Sequence, residues 1–270
     1  MTRLQTKLGE LFYVYRRADQ NQRTVLFIPG FGGDSCYYNF KSIIDRLPPE
    51  CGYLAIDTIG TGRSIQSYME RSTETILQNL IAVLKEEQIT SVTLFGHSMG
   101  GSYALLFAYR YPELVEQILV IEPTYNGVKA LVIAETKEQQ HQTPESIQKA
   151  KNEGELTIED FLAVVNPNNL PGERLENATI FFAAYGNQSL LYEDDHVLKV
   201  LEDLEIVEQN VPKKKIVILA TNERLTEYQH SLFLKSTTVH LYSVAGNHYL
   251  QWSAVLFVSM HVNQLLTSEK

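Results

Sequence analysis

Residues 92–104 read Val92-Thr93-Leu94-Phe95-Gly96-His97-Ser98-Met99-Gly100-Gly101-Ser102-Tyr103-Ala104. An apolar run comes first and a Gly-x-Ser-x-Gly turn follows. The stretch 102–109 then has the composition of a helix. A strand that turns this sharply into a helix strains its turn residue and lifts that side chain clear of the backbone. Glycines at 96 and 100 let strand and helix approach with no Cβ between them. Ser98 is therefore the candidate nucleophile, since the motif stands in the strand–helix context it needs.

The same alternation extends outward. Residues 4–16 read as two short strands around Gly9-Glu10. A continuous apolar strand at 24–28 stops at Pro29-Gly30, and a helix at 37–47 ends before Pro48-Pro49. A buried strand at 53–56 leads to Asp57. The helix predicted at 75–88 carries the stripe Ile76, Leu77, Leu80, Ile81 and Leu84. A strand at 118–121 ends at Glu122-Pro123. After residue 194 a helix at 195–209 has Glu193, Asp194 and Asp195 at its start, where a helix dipole favours acids. A strand at 215–219, a helix at 227–234, a strand at 239–244 and a helix at 252–266 follow. Such repetition predicts an α/β fold, a mostly parallel sheet covered by helices on both faces.

Between 124 and 193 the strands disappear. Thr143-Pro144 starts one helix, Thr157 and Asp160 frame a second start, and 173–185 forms a third. The division that follows is a core domain of 1–123 and 194–270, with 124–193 as a helical cap insertion.

Bulk properties bound the partners. The 270 residues carry a formal charge of −9, which argues against a nonspecific nucleic-acid binder. Two cysteines, Cys36 and Cys51, make no disulfide framework. The first seven residues lack an apolar signal core, and there is no apolar run of about 18 residues. No membrane span and a cytoplasmic location are the expectations. Gly30-x-Gly32-Gly33 is followed by no Gly-Lys-Ser/Thr and has no third glycine at dinucleotide spacing, so a phosphate-cradling loop is rejected. No metal-ligand cluster is evident, and no cofactor is expected.

A serine hydroxyl needs a base, and the base needs an orienting group. His248, in Gly246-Asn247-His248 between the last strand and the last helix, is the strongest base candidate. Ser98 in its turn, the glycine-rich loop 29–33, Asp57-Thr58-Ile59-Gly60-Thr61-Gly62-Arg63-Ser64 and the late His248 together resemble the α/β-hydrolase superfamily. The resemblance runs over about 8–266 and implies the α/β-hydrolase fold with an eight-stranded sheet. It also implies the chain order nucleophile, acid, histidine.

The acid has two candidates. The family most often places an Asp in a Gly-x-x-Asp turn after the strand at 215–219. Here that turn is Ala220-Thr221-Asn222-Glu223. A minority of the family uses the end of the preceding strand, which here is Glu122. Glu122 is narrowly preferred, because an acid at the mouth of an apolar strand needs a partner; Glu223 stays open. The resemblance further implies an oxyanion hole from the N–H groups of Met99 and Phe31. Phe31, Phe161, Phe181 and Tyr185 are the candidate substrate contacts. The implied activity is that of a serine hydrolase on a small-molecule ester or thioester, of the carboxylesterase or thioesterase type. Two alternatives are a C–C-cleaving lyase on the same triad and a ligand-binding receptor on a hydrolase fold.

Overall fold

The computed structural model describes residues 1–65, 68–130, 133 and 142–267. His141 and most of 131–140, within the expected insertion, lie outside the described residues.

Eight strands form one sheet: β1 (Thr2–Thr6), β2 (Gly9–Arg16), β3 (Thr24–Ile28), β4 (Gly52–Asp57), β5 (Val92–His97), β6 (Val115–Ile121), β7 (Lys215–Thr221) and β8 (Val239–Val244). Their spatial order is β1-β2-β4-β3-β5-β6-β7-β8. β1 and β2 pair antiparallel, as do β2 and β4; every later pairing is parallel. All five residues of β3 and all six of β5 are buried. That is what helices on both faces require, and it is why these strands read as unbroken apolar runs.

On one face pack α2 (Thr73–Glu86), α3 (Met99–Arg110) and α8 (Val197–Gln209), through Leu80, Leu105, Leu201 and Leu204. On the other face α1 (Cys36–Ile44) and α11 (Val255–Thr267) bury Phe40, Val258 and Val262 against Phe27 and Phe95 of the sheet. Each fully buried side chain of this size contributes about 1.5–3 kcal/mol relative to exposure. α2 starts two residues before its predicted position. Ser72 accepts a hydrogen bond from Thr75 N–H and caps the helix, and Gln88 at φ 55° breaks it.

After β6 come α4 (Pro144–Glu153), α5 (Ile158–Leu162), α6 (Pro171–Ala184) and α7 (Gln188–Asp195). The two cap signals read from sequence form as capping boxes, Thr143 with Ser146 and Thr157 with Asp160. The acidic run behaves differently from the sequence reading. Glu193 and Asp194 close α7 instead of opening α8, and His196 (φ −111°, ψ 13°) separates the two helices. The boundary expected at 193/194 thus falls inside α7. The cause is tertiary: Glu193 is buried against Arg71 Nε at 2.7 Å and accepts from Tyr103 Oη at 2.7 Å. Arg71 also donates to Thr58 Oγ1 at 3.0 Å, so this clasp ties α7 to the core. Among the described residues no helix is long and apolar enough to cross a membrane.

Short segments near the C-terminus depart from expectation in a smaller way. The helix expected at 227–234 is split into α9 (Leu225–Gln229) and the 3₁₀ turn Leu232–Lys235. The helix expected at 252–266 is split into α10 (Leu250–Ser253) and α11.

Candidate active site

Every piece of the site sits beyond the C-terminal ends of the parallel strands, where an open α/β sheet offers a crevice. Ser98 links β5 to α3 at φ 53°, ψ −123°, a conformation L-residues rarely adopt. Its N–H donates to Ile121 O at 2.9 Å, and its carbonyl accepts from Thr124 N–H at 3.2 Å. Ser98 therefore sits on β6 as well as β5. Its side chain makes no capping bond to α3, so the hydroxyl is left available. The flanking glycines are obligatory. A Cβ on Gly100 would stand 2.2 Å from the carbonyl oxygens of Ile28 and Pro29, and one on Gly96 would stand 2.5 Å from Gly100 O.

His248 follows β8, with its side chain 37% exposed. Its Nδ1 donates to Glu122 Oε2 at 2.6 Å. That bond fixes the proton on Nδ1 and leaves the Nε2 lone pair free. Beneath it, His97 Nε2 donates to the His248 carbonyl at 3.0 Å, and the two rings lie 4.7 Å apart. Burial, reinforced by His248, holds His97 well below the usual histidine range, so His97 is neutral.

Glu122 stands one residue past β6, at φ 40° and 1% exposure. Oε1 accepts from Thr221 N–H at 2.8 Å and Thr221 Oγ1 at 2.7 Å. Oε2 accepts from Arg224 Nη1 at 2.9 Å as well as from His248. Burial alone would raise this carboxyl. The bonds from His248 and Thr221 and the Arg224 charge outweigh burial and hold it at about 2. Glu223, the other candidate, is exposed on the turn after β7. Its neighbour Arg224 turns inward, with Nη1 3.3 Å from His248 Nδ1, so two donors converge on one carboxylate oxygen.

Met99 opens α3, where the first N–H groups have no intrahelical acceptor. Phe31 lies on the loop after β3, and that loop abuts the turn: a Cβ on Gly30 would be 3.0 Å from Ser98 Cβ. Phe31, Phe161, Phe181 and Tyr185 line one cavity of about 360 Å³, which also borders Gly30 and His97. α5 and α6 supply Phe161 and Phe181, whose rings are 4.9 Å apart.

Sequence reading passed over Thr221 and Arg224, which hold Glu122, and Tyr249 and Trp252, which line the cavity. The last two had a signal, standing one and four positions after His248. Among the described residues no group of three or more His, Cys, Asp or Glu side chains is placed to hold a metal ion.

Residues 23–157 match the family described as the α/β hydrolase fold. An uncharacterized protein of Mycobacterium bovis is 30% identical over 110 residues, covering 40% of this chain and 32% of that protein. A putative esterase/lipase of Haemophilus influenzae is 28% identical over 191 residues, covering 66% of this chain and 64% of that protein. The chain thus spans roughly a third to two thirds of the length of these curated relatives. In three dimensions it superposes on the crystal structure of Smu.1393c from Streptococcus mutans with a TM-score of 0.70, at 21% identity over 100% of this chain and 98% of that one. At that identity the likeness is one of fold.

Proposed function

This chain belongs to the α/β-hydrolase family, and from that premise we propose that it is a serine hydrolase cleaving a small-to-medium ester or thioester. The observation that carries the reading is the 2.6 Å bond from His248 Nδ1 to a buried, ionised Glu122, in a site whose hydroxyl is the strained Ser98.

In this reading His248 Nε2 takes the Ser98 proton as Oγ attacks the substrate carbonyl. Glu122 stabilises the imidazolium that forms and keeps the ring oriented. The Met99 and Phe31 N–H groups meet the developing oxyanion, a contribution worth about 2.7–4 kcal/mol per donor in comparable sites. Collapse expels the alcohol or thiol, which takes the proton from His248. Water, deprotonated by the same imidazole, then releases the acid and restores Ser98. Thr221 and Arg224 keep Glu122 charged throughout. The segment 124–193 acts as a cap, with Phe161, Phe181 and Tyr185 contacting the substrate, and Glu223 has no catalytic part.

The test is labelling with a fluorophosphonate probe, followed by a panel of p-nitrophenyl esters of increasing acyl length. Covalent modification at Ser98 and a burst of p-nitrophenol are the expected results. An unlabelled Ser98 under conditions where the protein is folded overturns the assignment.

A further inference from the structure

The cavity bordered by Gly30 and His97, the neighbours of Ser98, has a one-sided chemistry. Its walls include six aromatic side chains: Phe31, Phe161, Phe181, Tyr185, Tyr249 and Trp252. Tyr249 and Trp252 are stacked, with centroids 4.1 Å apart and planes 7° from parallel. Two carboxylates, Asp34 and Asp160, share the lining, and no lysine or arginine does among the described residues. The lining histidine, His97, is neutral, because burial and the nearby His248 disfavour its charge. Two side-chain donors on the wall are already engaged. Trp252 Nε1 donates to Asn39 O at 2.8 Å, and Asn39 Nδ2 donates to Asp34 Oδ2 at 3.1 Å. One acceptor is left over: His97 Nδ1, a buried lone pair with no hydrogen-bonding partner.

Asp160 is held ionised by bonds from Thr157 N–H and Oγ1, at 2.7 and 2.9 Å. Burial pushes Asp34 up to about 6, against the hydrogen bonds from Asn39 and Asn177 that favour its charge. A pocket of π faces and carboxylates with no positive charge attracts a cation and repels an anion. The chain's formal charge of −9 acts in the same direction at longer range.

We infer that this cavity receives a cationic nitrogen, and that the substrate is a small ester or thioester bearing an ammonium group. This rests on the serine-hydrolase reading for the reaction, though not for the binding. The aromatic walls hold the cation through their faces, as they hold quaternary ammonium groups elsewhere. Asp34 and Asp160 supply the countercharge. A neutral isostere keeps the apolar contact and loses the electrostatic part, so the expected discrimination is about tenfold.

Binding is tested first and needs no turnover. Trp252 is the chain's only tryptophan and lines the cavity, so intrinsic fluorescence reports occupancy. Phenyltrimethylammonium is titrated against tert-butylbenzene, which differs by carbon in place of the charged nitrogen. Tighter binding of the cation by about tenfold, reduced several-fold in Asp160→Asn, is the expected result. Asp160 lies on the surface and asparagine retains the capping oxygen, so this variant keeps the fold. Equal or weaker binding of the cation overturns the inference.

Turnover is tested second, with charged and neutral isosteres on each side of the ester. The acyl pair is 4-nitrophenyl 4-(trimethylammonio)butanoate and 4-nitrophenyl 5,5-dimethylhexanoate; the alcohol pair is butyrylcholine and 3,3-dimethylbutyl butyrate. A higher kcat/KM for the charged member of either pair supports the inference. Hydrolysis of both pairs with no such preference overturns it. Cation binding without hydrolysis of any ester sustains the cavity's assignment and overturns the serine-hydrolase reading instead.

Discussion

The ends of β6 and β7 lie side by side, and each carries a glutamate within two residues of its last sheet position. Glu122, after β6, is 1% exposed and receives four hydrogen bonds, from Thr221 N–H and Oγ1, Arg224 and His248. Glu223, after β7, is exposed. The β7 end contributes donors instead: the Thr221 N–H and hydroxyl and the Arg224 guanidinium all point at the β6 carboxylate. The comparison teaches that an acid is made useful by its neighbours. One strand end presents the charge, and the next supplies the groups that keep it ionised in a buried place, where an unpartnered carboxylate would be costly.

Removing the charge at the β6 end gives the largest effect. Glu122→Gln is expected to lower kcat for ester hydrolysis by about 10³–10⁴-fold, because the amide favours the wrong imidazole tautomer. The same substitution tests linkage. Glu122 is depressed from its usual 4.5 to about 2, so it favours the folded state above about pH 4.5 and loses that contribution as pH falls through about 2. Urea unfolding at pH 2.5–6 is expected to show a shallower loss of stability on acidification in Glu122→Gln than in the unsubstituted protein.

Next in size is Arg224→Gln. Glu122 then loses its charged donor, and the expected cost is about 1.5–3 kcal/mol of unfolding free energy at pH 7, read from the urea midpoint. The Arg224 side chain is 19% exposed, so solvent replaces part of the interaction and the lower end applies. Thr221→Val deletes the hydroxyl bond and keeps the N–H bond. A stability loss of about 1 kcal/mol and a severalfold fall in kcat/KM are expected. Last, Glu223→Gln is expected to leave kcat/KM within about twofold, as exposed substitutions away from partners do. A large loss there, with Glu122→Gln near full activity, would reverse the two strand ends.

The fold was legible because its signals are local. Gly96 and Gly100 mark the turn around Ser98, the apolar runs mark the buried strands, and Thr143 and Thr157 mark two helix starts. Which glutamate meets His248 was not local. Glu122 and Glu223 each follow an apolar strand, and only the packing of β8's loop against β6 brings His248 to one of them. Arg224 left no pattern, since an arginine in a turn is usually a solvated charge. The 193–195 acids misled for a related reason. Their sequence suits a helix start, and the burial of Glu193 against Arg71 assigns them to a helix end.

That ion pair also bears on the order in which the molecule assembles. Arg71 and Glu193 are 122 positions apart in the chain, and Tyr103 and Glu193 are 90 apart. Contacts of such separation pay loop-closure entropy before they gain anything, which favours their closing after β5 and β6, the strands between them, have paired. The docking of α7 is therefore expected to come late in folding and to be lost early in unfolding. A substitution such as Glu193→Gln is expected to raise the unfolding rate while leaving the folding rate nearly unchanged.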